Sequence, residues 1–225
     1  MMNLPARLRG SWRDFYSQST RFKVFALDVT GHIYYILSIL ARLPKSALEV
    51  GSGTGFHSCF ISYFGVNVVA LDIDREVIEL SRRNIKRFGG KASFVVASAF
   101  NLPFKDECFD VCFSQGLLEH FDDNFVCRFL EGLIRLGRSI TLSVPSNYYP
   151  LKEFGDERLL APTSWSELIS KFNLLPYGGI NVRARYYLSL NVLGRKSIPK
   201  LIGPYHVIIN VYRRSSKRKT GTRKN

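Results

Sequence analysis

From residue 45 onward, short β-branched or apolar runs alternate with stretches whose apolar residues recur at helical spacing. That alternation marks a parallel sheet whose strands are joined by crossover helices. The runs at 47–50, 67–72, 93–97, 109–114, 139–144, 180–188 and 206–212 read as seven strands. Between the second and third, Val77, Leu80, Ser81, Asn84, Ile85 and Phe88 share one helical face, with Asp74 placed to cap the helix and Gly89-Gly90 to stop it. Helices are also expected at 56–63, 124–136 and 164–172, the last opening at Thr163 or Ser164 with Glu167 completing a capping box. The last two strands have no helix between them, so they should pair antiparallel at the sheet edge.

The first 44 residues lack strand signals but carry Trp12, Phe15, Tyr16, Phe22, Phe25, Tyr34 and Tyr35. Helices packed over one end of the sheet would bury these rings. The expected organisation is a helical cap over 1–44, a ligand-binding α/β domain over 45–212 and a tail over 213–225.

Composition changes this picture little: 225 residues at 46% hydrophobic content suit one ordinary domain. Residues 33–40, the longest apolar stretch, fall far short of the roughly 20 a spanning helix needs. The N-terminus also lacks an apolar run followed by a small-residue cleavage site, so a cytoplasmic protein is expected. Cys59, Cys108, Cys112 and Cys127 form no CxxC pair and match no histidine cluster, which suggests buried free thiols rather than a zinc site or a disulfide framework.

Charge matters more. Of the net +14, seven positive charges fall at Arg213, Arg214, Lys217, Arg218, Lys219, Arg223 and Lys224, with no acid among them. Such a tail cannot bury enough apolar surface to fold, so a disordered segment is expected. RNA or an anionic membrane would attract it, although a solubilising role accounts for it equally well.

The chemistry concentrates in Leu48-Glu49-Val50-Gly51-Ser52-Gly53-Thr54-Gly55, where three alternate glycines stand between a buried strand and a helix. Glycine lets a ligand approach the backbone, and free amides at a helix start favour an anionic group. A dinucleotide fingerprint would require glycine at position 56, which is Phe56. The next strand ends in Asp72, 19 residues after Gly53, where a doubly wound sheet brings its second strand tip beside the first loop. A carboxylate there can accept from both hydroxyls of a ribose, and Ile73 can pack on a base.

LEVGSGTG followed by VVALDID resembles the first two motifs of the class I S-adenosylmethionine (SAM)-dependent methyltransferases. The segment FVVASAFNLPF at 94–104 resembles their adenine-contacting stretch, and FDVCFSQGLLEHF at 109–121 resembles the fourth-strand motif of the group that includes quinone-biosynthesis enzymes. The resemblance implies a Rossmann-like, doubly wound, seven-stranded, mostly parallel sheet with an antiparallel last strand, and SAM as cofactor. It gives Glu49 a role near the methionine amino group, directly or by shaping the loop. Gly51, Ser52, Gly53 and Gly55 would line the methionine and ribose, Asp72 would hold the ribose, and Ile73, Ala99 and Phe100 would flank adenine. Ser98 stands where the family usually has Asp, so its bond to the adenine amino group would lack charge assistance.

Ser114 and Gln115, at the fourth strand tip, are candidates to line the cofactor pocket. If the acceptor is a hydroxyl or an acidic carbon, a base is required, and His120 with Glu119 follows that strand. No metal is required by methyl transfer from a sulfonium. The segment Ser143-Val144-Pro145-Ser146-Asn147-Tyr148-Tyr149-Pro150 lacks the Pro-Pro pair of base-amino methyltransferases and follows the fifth strand, so it reads as a loop bordering the acceptor, with Phe154 further along. A small or lipid-like acceptor is expected first; RNA methylation through the basic tail and a non-catalytic SAM-binding subunit stand as alternatives.

Overall fold

The computed structural model describes residues 16, 20–149, 156–170, 177–185 and 206–213, with backbone alone for 177–185 and 212–213. Trp12, Phe15, Phe154 and nearly all of the basic tail lie outside the described residues.

Two N-terminal helices, α1 (Phe22–Gly31) and α2 (Ile33–Leu40), precede the sheet. The chain then runs β1 (Ser46–Val50), α3 (Phe56–Ser62), β2 (Asn67–Asp72), α4 (Arg75–Arg87), β3 (Ser93–Val96) and β4 (Val111–Gln115). A single 3-10 turn at Leu118–His120 leads into α5 (Asp123–Leu136), β5 (Ser139–Pro145), α6 (Pro162–Ser170), β6 (Tyr177–Arg185) and β7 (His206–Arg213).

The strand order is β3-β2-β1-β4-β5-β7-β6. The first five strands pair parallel, whereas β7 runs antiparallel to both β5 and β6. The chain reverses direction in the sheet between β1 and β4, and in such sheets ligands bind beyond the carboxyl ends of the strands at that point.

Each strand alternates between two packed faces. Leu48 and Val50 face a core closed by α5 and α6 through Val126, Phe129, Leu130, Leu133, Trp165 and Ile169. Ala47, Val111 and Phe113 face the other core, closed by α1, α2 and α3 through Phe25, Val29, Tyr35, Ile36, Ile39, Phe56 and Ile61. Phe25 and Tyr35 are thus buried, but Phe22 and Tyr34 stay exposed, so the N-terminal helices bury only part of their aromatic content.

Asp74 caps α4 by accepting from the amides of Glu76 and Val77, and Gly89 follows at φ +78°. Asp122 caps α5 through Phe125 N at 2.9 Å. α6 departs from the expected capping box: it opens at Pro162, and Trp165 N bonds Ala161 O at 3.1 Å. Proline's fixed φ and missing N–H suit a first helical position, which moves the start ahead of Ser164. The fourth strand starts at Val111 rather than 109, because Phe109 makes only an isolated bridge to Gly137. All four cysteines are free, Cys59 and Cys112 buried, Cys127 partly so and Cys108 exposed. No single helix among the described residues is long and apolar enough to cross a membrane.

Candidate functional site

The glycine turn leaves β1 with Gly51, Gly53 and Gly55 at φ +74°, +49° and +74°, where side chains are strained. Its amides are held within the protein. Gly51 N and Ser52 N donate to Leu71 O at 2.9 and 3.0 Å, Gly53 N to Asp72 Oδ2 at 3.2 Å, and Gly55 N to Ser52 O at 2.8 Å. The expectation of free amides at this helix start therefore does not hold for these residues, and what a ligand could meet there depends on what covers the glycine faces.

Those faces have specific neighbours. A Cβ on Gly51 would lie 3.2 Å from Leu117 Cδ2, and one on Gly53 would lie 2.9 Å from the Tyr16 hydroxyl. Leu117 and Tyr16 thus roof the loop, and no motif spacing singles them out. Gly55 faces inward, where a Cβ would lie 2.2 Å from Ser81 Oγ, so its missing side chain serves the packing of α4. Beside the loop, the hydroxyls of Ser52 and Ser114 are buried and have no hydrogen-bond partner among the described residues.

At the tip of β2, Asp72 bridges two turns: one oxygen accepts from Gly53 N and the other from Asp74 N at 3.1 Å. Burial raises its carboxyl above the ordinary value, against the lowering effect of the Asp74 and Gly53 amides. A carboxylate offers about four lone-pair sites, and the amides of Gly53, Ile73 and Asp74 do not use them all, which leaves capacity for a hydroxyl donor. Ile73 beside it is 53% exposed, an apolar surface at the rim.

Across β3, Ser98 Oγ accepts from Phe100 N at 3.2 Å. Ala99 and Phe100 are half-buried against the core, and the Phe100 ring meets Phe121 and Phe125 edge-on, with centroids 5.4 and 4.7 Å away. The sheet thus brings the 98–100 turn to the edge that carries Asp72, since Asp72 pairs with Val96.

β4 ends at Gln115, and Gly116 N then bonds Ser143 O at 3.0 Å, which ties the β4 and β5 tips together. In the 3-10 turn that follows, Glu119 is buried and His120 Nδ1 lies 2.9 Å from Asp156 Oδ1. Arg158 N bonds Glu119 O at 2.7 Å, so the 156–161 segment is fastened over the turn. A carboxylate on one ring nitrogen fixes an imidazole's orientation.

Glu49 lies on the opposite sheet face from Val50. Its Oε2 accepts from Ser58 N at 3.2 Å and from the Ser58 hydroxyl, which secures the start of α3. Its other oxygen lies 3.6 Å from His57 Nδ1, while His57 Nε2 lies 3.1 Å from Asp28 Oδ2. Burial alone would lower the His57 pKa, but Asp28 and Glu49 outweigh it and raise it to about 10. His32 and His206 pack edge-on beside this pair, and burial lowers both, His206 to about 3. Sequence reading missed this cluster because its members come from α1, α3 and β7. The i,i+4 spacing of Asp28 and His32 was the available signal.

A cleft of about 440 Å³ lined by Arg42, Lys45, Asp110, Arg138 and Ser139 lies at the amino ends of β1, β4 and β5, away from the glycine turn.

Residues 48–138 match the family model described as a methyltransferase domain. An uncharacterized methyltransferase of Mycolicibacterium vanbaalenii is 32% identical over 113 residues, covering 50% of this chain and 42% of the relative. Norajmaline N-methyltransferase of Rauvolfia serpentina is 28% identical over 99 residues, covering 43% of this chain and 33% of the relative. The matched region thus spans less than half the length of these curated relatives. Among solved structures, a Pyrococcus horikoshii protein superposes with a TM-score of 0.66 at 13% identity, covering 89% of this chain and 98% of that one. At that identity the likeness speaks for the fold alone.

Proposed function

Because residues 48–138 carry a methyltransferase domain of the class I, SAM-dependent type, we propose that this chain binds SAM at the glycine turn and transfers its methyl group to a small or lipid-like acceptor. The observation that carries the reading is the coupling of Gly53 N to Asp72 Oδ2 at 3.2 Å beside the exposed Ile73. The buried hydroxyls of Ser52 and Ser114, without hydrogen-bond partners among the described residues, and the exposed Ile73 fit a polar cofactor with an apolar base.

SAM supplies a methyl group already activated by its sulfonium charge. The protein's task is to align the acceptor and exclude water. Asp72 would take the ribose hydroxyls, Ile73 and the 98–100 turn the base, and Ser52 and Ser114 the polar groups nearest the loop. Tyr16 and Leu117 would close over the glycines. His120, oriented by Asp156, would remove a proton from a hydroxyl or an acidic carbon, and an amine already carrying a lone pair would not need it.

Support for the acceptor class comes from the names of two relatives. Both act on small or acyl groups by name: norajmaline N-methyltransferase and malonyl-[acyl-carrier protein] O-methyltransferase of Hamiltonella defensa, the latter 29% identical over 91 residues. The basic run after residue 213 is the single feature favouring RNA or an anionic membrane as partner.

Incubation with methyl-labelled SAM and fractionated cell extract tests the acceptor. Label in small metabolites or lipid is the expected result. Label confined to RNA, and lost on deleting residues 213–225, would replace this acceptor class. Cofactor binding without label in any fraction would point to a non-catalytic subunit.

A further inference from the structure

Three of the chain's four histidines gather behind the glycine turn, at the carboxyl rim of the sheet: His32 after α1, His57 in the first turn of α3 and His206 at the start of β7. One donor atom from each of Asp28, His32 and His57 lies within 4.8 Å of the others. His57 Nε2 and Asp28 Oδ2 are 3.1 Å apart. Donors bound tetrahedrally to zinc at about 2.0–2.1 Å stand about 3.3 Å from one another. That pair is already at coordinating separation, and the third donor needs to close by at most about 1.5 Å.

The surroundings resemble the supporting shell of a metal site. A ligating imidazole usually has its other ring nitrogen on a carbonyl or carboxylate, which fixes its tautomer. His32 Nδ1 lies 3.0 Å from the main-chain oxygen of Asp28, an acceptor, so this nitrogen carries the proton. His57 Nδ1 faces Glu49 Oε1 at 3.6 Å. Two carboxyl groups, Asp28 and Glu49, therefore converge on the single imidazole of His57, and a cation bound there would take the place of the proton that His57 Nε2 shares with Asp28 Oδ2. The donors also have unequal exposure: His57 is buried at 6%, whereas the Asp28 side chain is 32% exposed and gives an entry path.

We propose that Asp28, His32 and His57 bind a divalent cation of the zinc class, which fastens the N-terminal helices to the glycine turn. Two imidazoles and one carboxylate suit zinc better than magnesium or calcium, which prefer all-oxygen sites. Three protein ligands leave one tetrahedral position for water or for a donor atom of a bound ligand. Glu49 lies behind His57 and also holds Ser58 at the start of α3, so the cation would stiffen the same turn that carries Gly51 and Gly53.

The test uses zinc chloride alone, titrated calorimetrically into the full chain after chelator treatment, with cobalt chloride as a spectroscopic probe. One zinc per chain is expected, together with cobalt ligand-field bands of a nitrogen- and oxygen-ligated low-coordinate site. Asp28→Asn, which keeps the shape of the side chain, is expected to weaken zinc binding by roughly tenfold or more, and His32→Asn likewise, with folding of each variant checked by circular dichroism. His120→Asn should leave zinc affinity unchanged. Absence of saturable one-to-one binding would overturn the proposal, as would wild-type affinity in folded Asp28→Asn and His32→Asn, or cobalt bands showing thiolate ligation. None of these readouts involves SAM, so the outcome is independent of the methyltransferase reading.

Discussion

His57 shows how far a single side chain departs from what its place in the sequence indicates. It reads as one more polar residue in a short helix, yet it is buried between two carboxyl groups and its pKa is raised to about 10. A group whose folded pKa lies above the unfolded value, about 6.5 for histidine, stabilises the fold fully below that value. The contribution is then lost as pH rises toward 10. His206 behaves in the opposite sense: held neutral with its pKa near 3, it lends stability above about 6.5 and loses it as pH falls. Denaturant unfolding across pH, in chelator, is therefore expected to show a wild-type alkaline decline that is smaller in His57→Gln. The difference between the two proteins should grow as pH drops from 10 to 6.5. A pH-independent difference would remove the ion pair from the account.

The strand-and-helix pattern was legible because local and tertiary preferences agree. Asp74 and Gly89 mark α4 in the sequence and do so in the structure, and β1, β2 and β5 fall within a residue of their expected bounds. α6 was misplaced because Ser164 with Glu167 imitates a cap, while Pro162 supplies the better first residue. The amides of the glycine turn could not be read either, since Leu71 O and Asp72, which occupy them, lie on another strand. Gly55 belongs to this level of organisation. Its bare Cα admits Ser81 Oγ and Ile85 Cδ1 from α4, at φ +74°. Gly55→Ala should cost about 2 kcal/mol or more, from left-handed strain together with the clash, as measured by urea unfolding. A loss below a few tenths of a kcal/mol would mean that α4 is not seated on the turn as described.

Taken together, the molecule places its chemistry along one rim. The carboxyl ends of β1, β2 and β4 present the glycine turn, Asp72 and Gln115, and the N-terminal helices and the 156–161 segment close in from either side. The alternation of strands and crossover helices that creates this rim was legible in the hydrophobic pattern, Gly51, Gly53 and Asp72 were identifiable from spacing, and Glu49 from the family resemblance. Tyr16, Asp28, His32, His57 and Asp156 were not, because they reach the rim from segments far apart in the chain, Asp28 and His32 alone sharing one. The central claim is that the rim binds SAM through Asp72. Isothermal calorimetry of SAM against wild type and Asp72→Ala, with folding checked by circular dichroism, tests it most directly. Losing a charged acceptor is expected to weaken binding by roughly tenfold or more while the fold is retained. Equal affinity in a folded Asp72→Ala protein, or no binding to wild type, would contradict it.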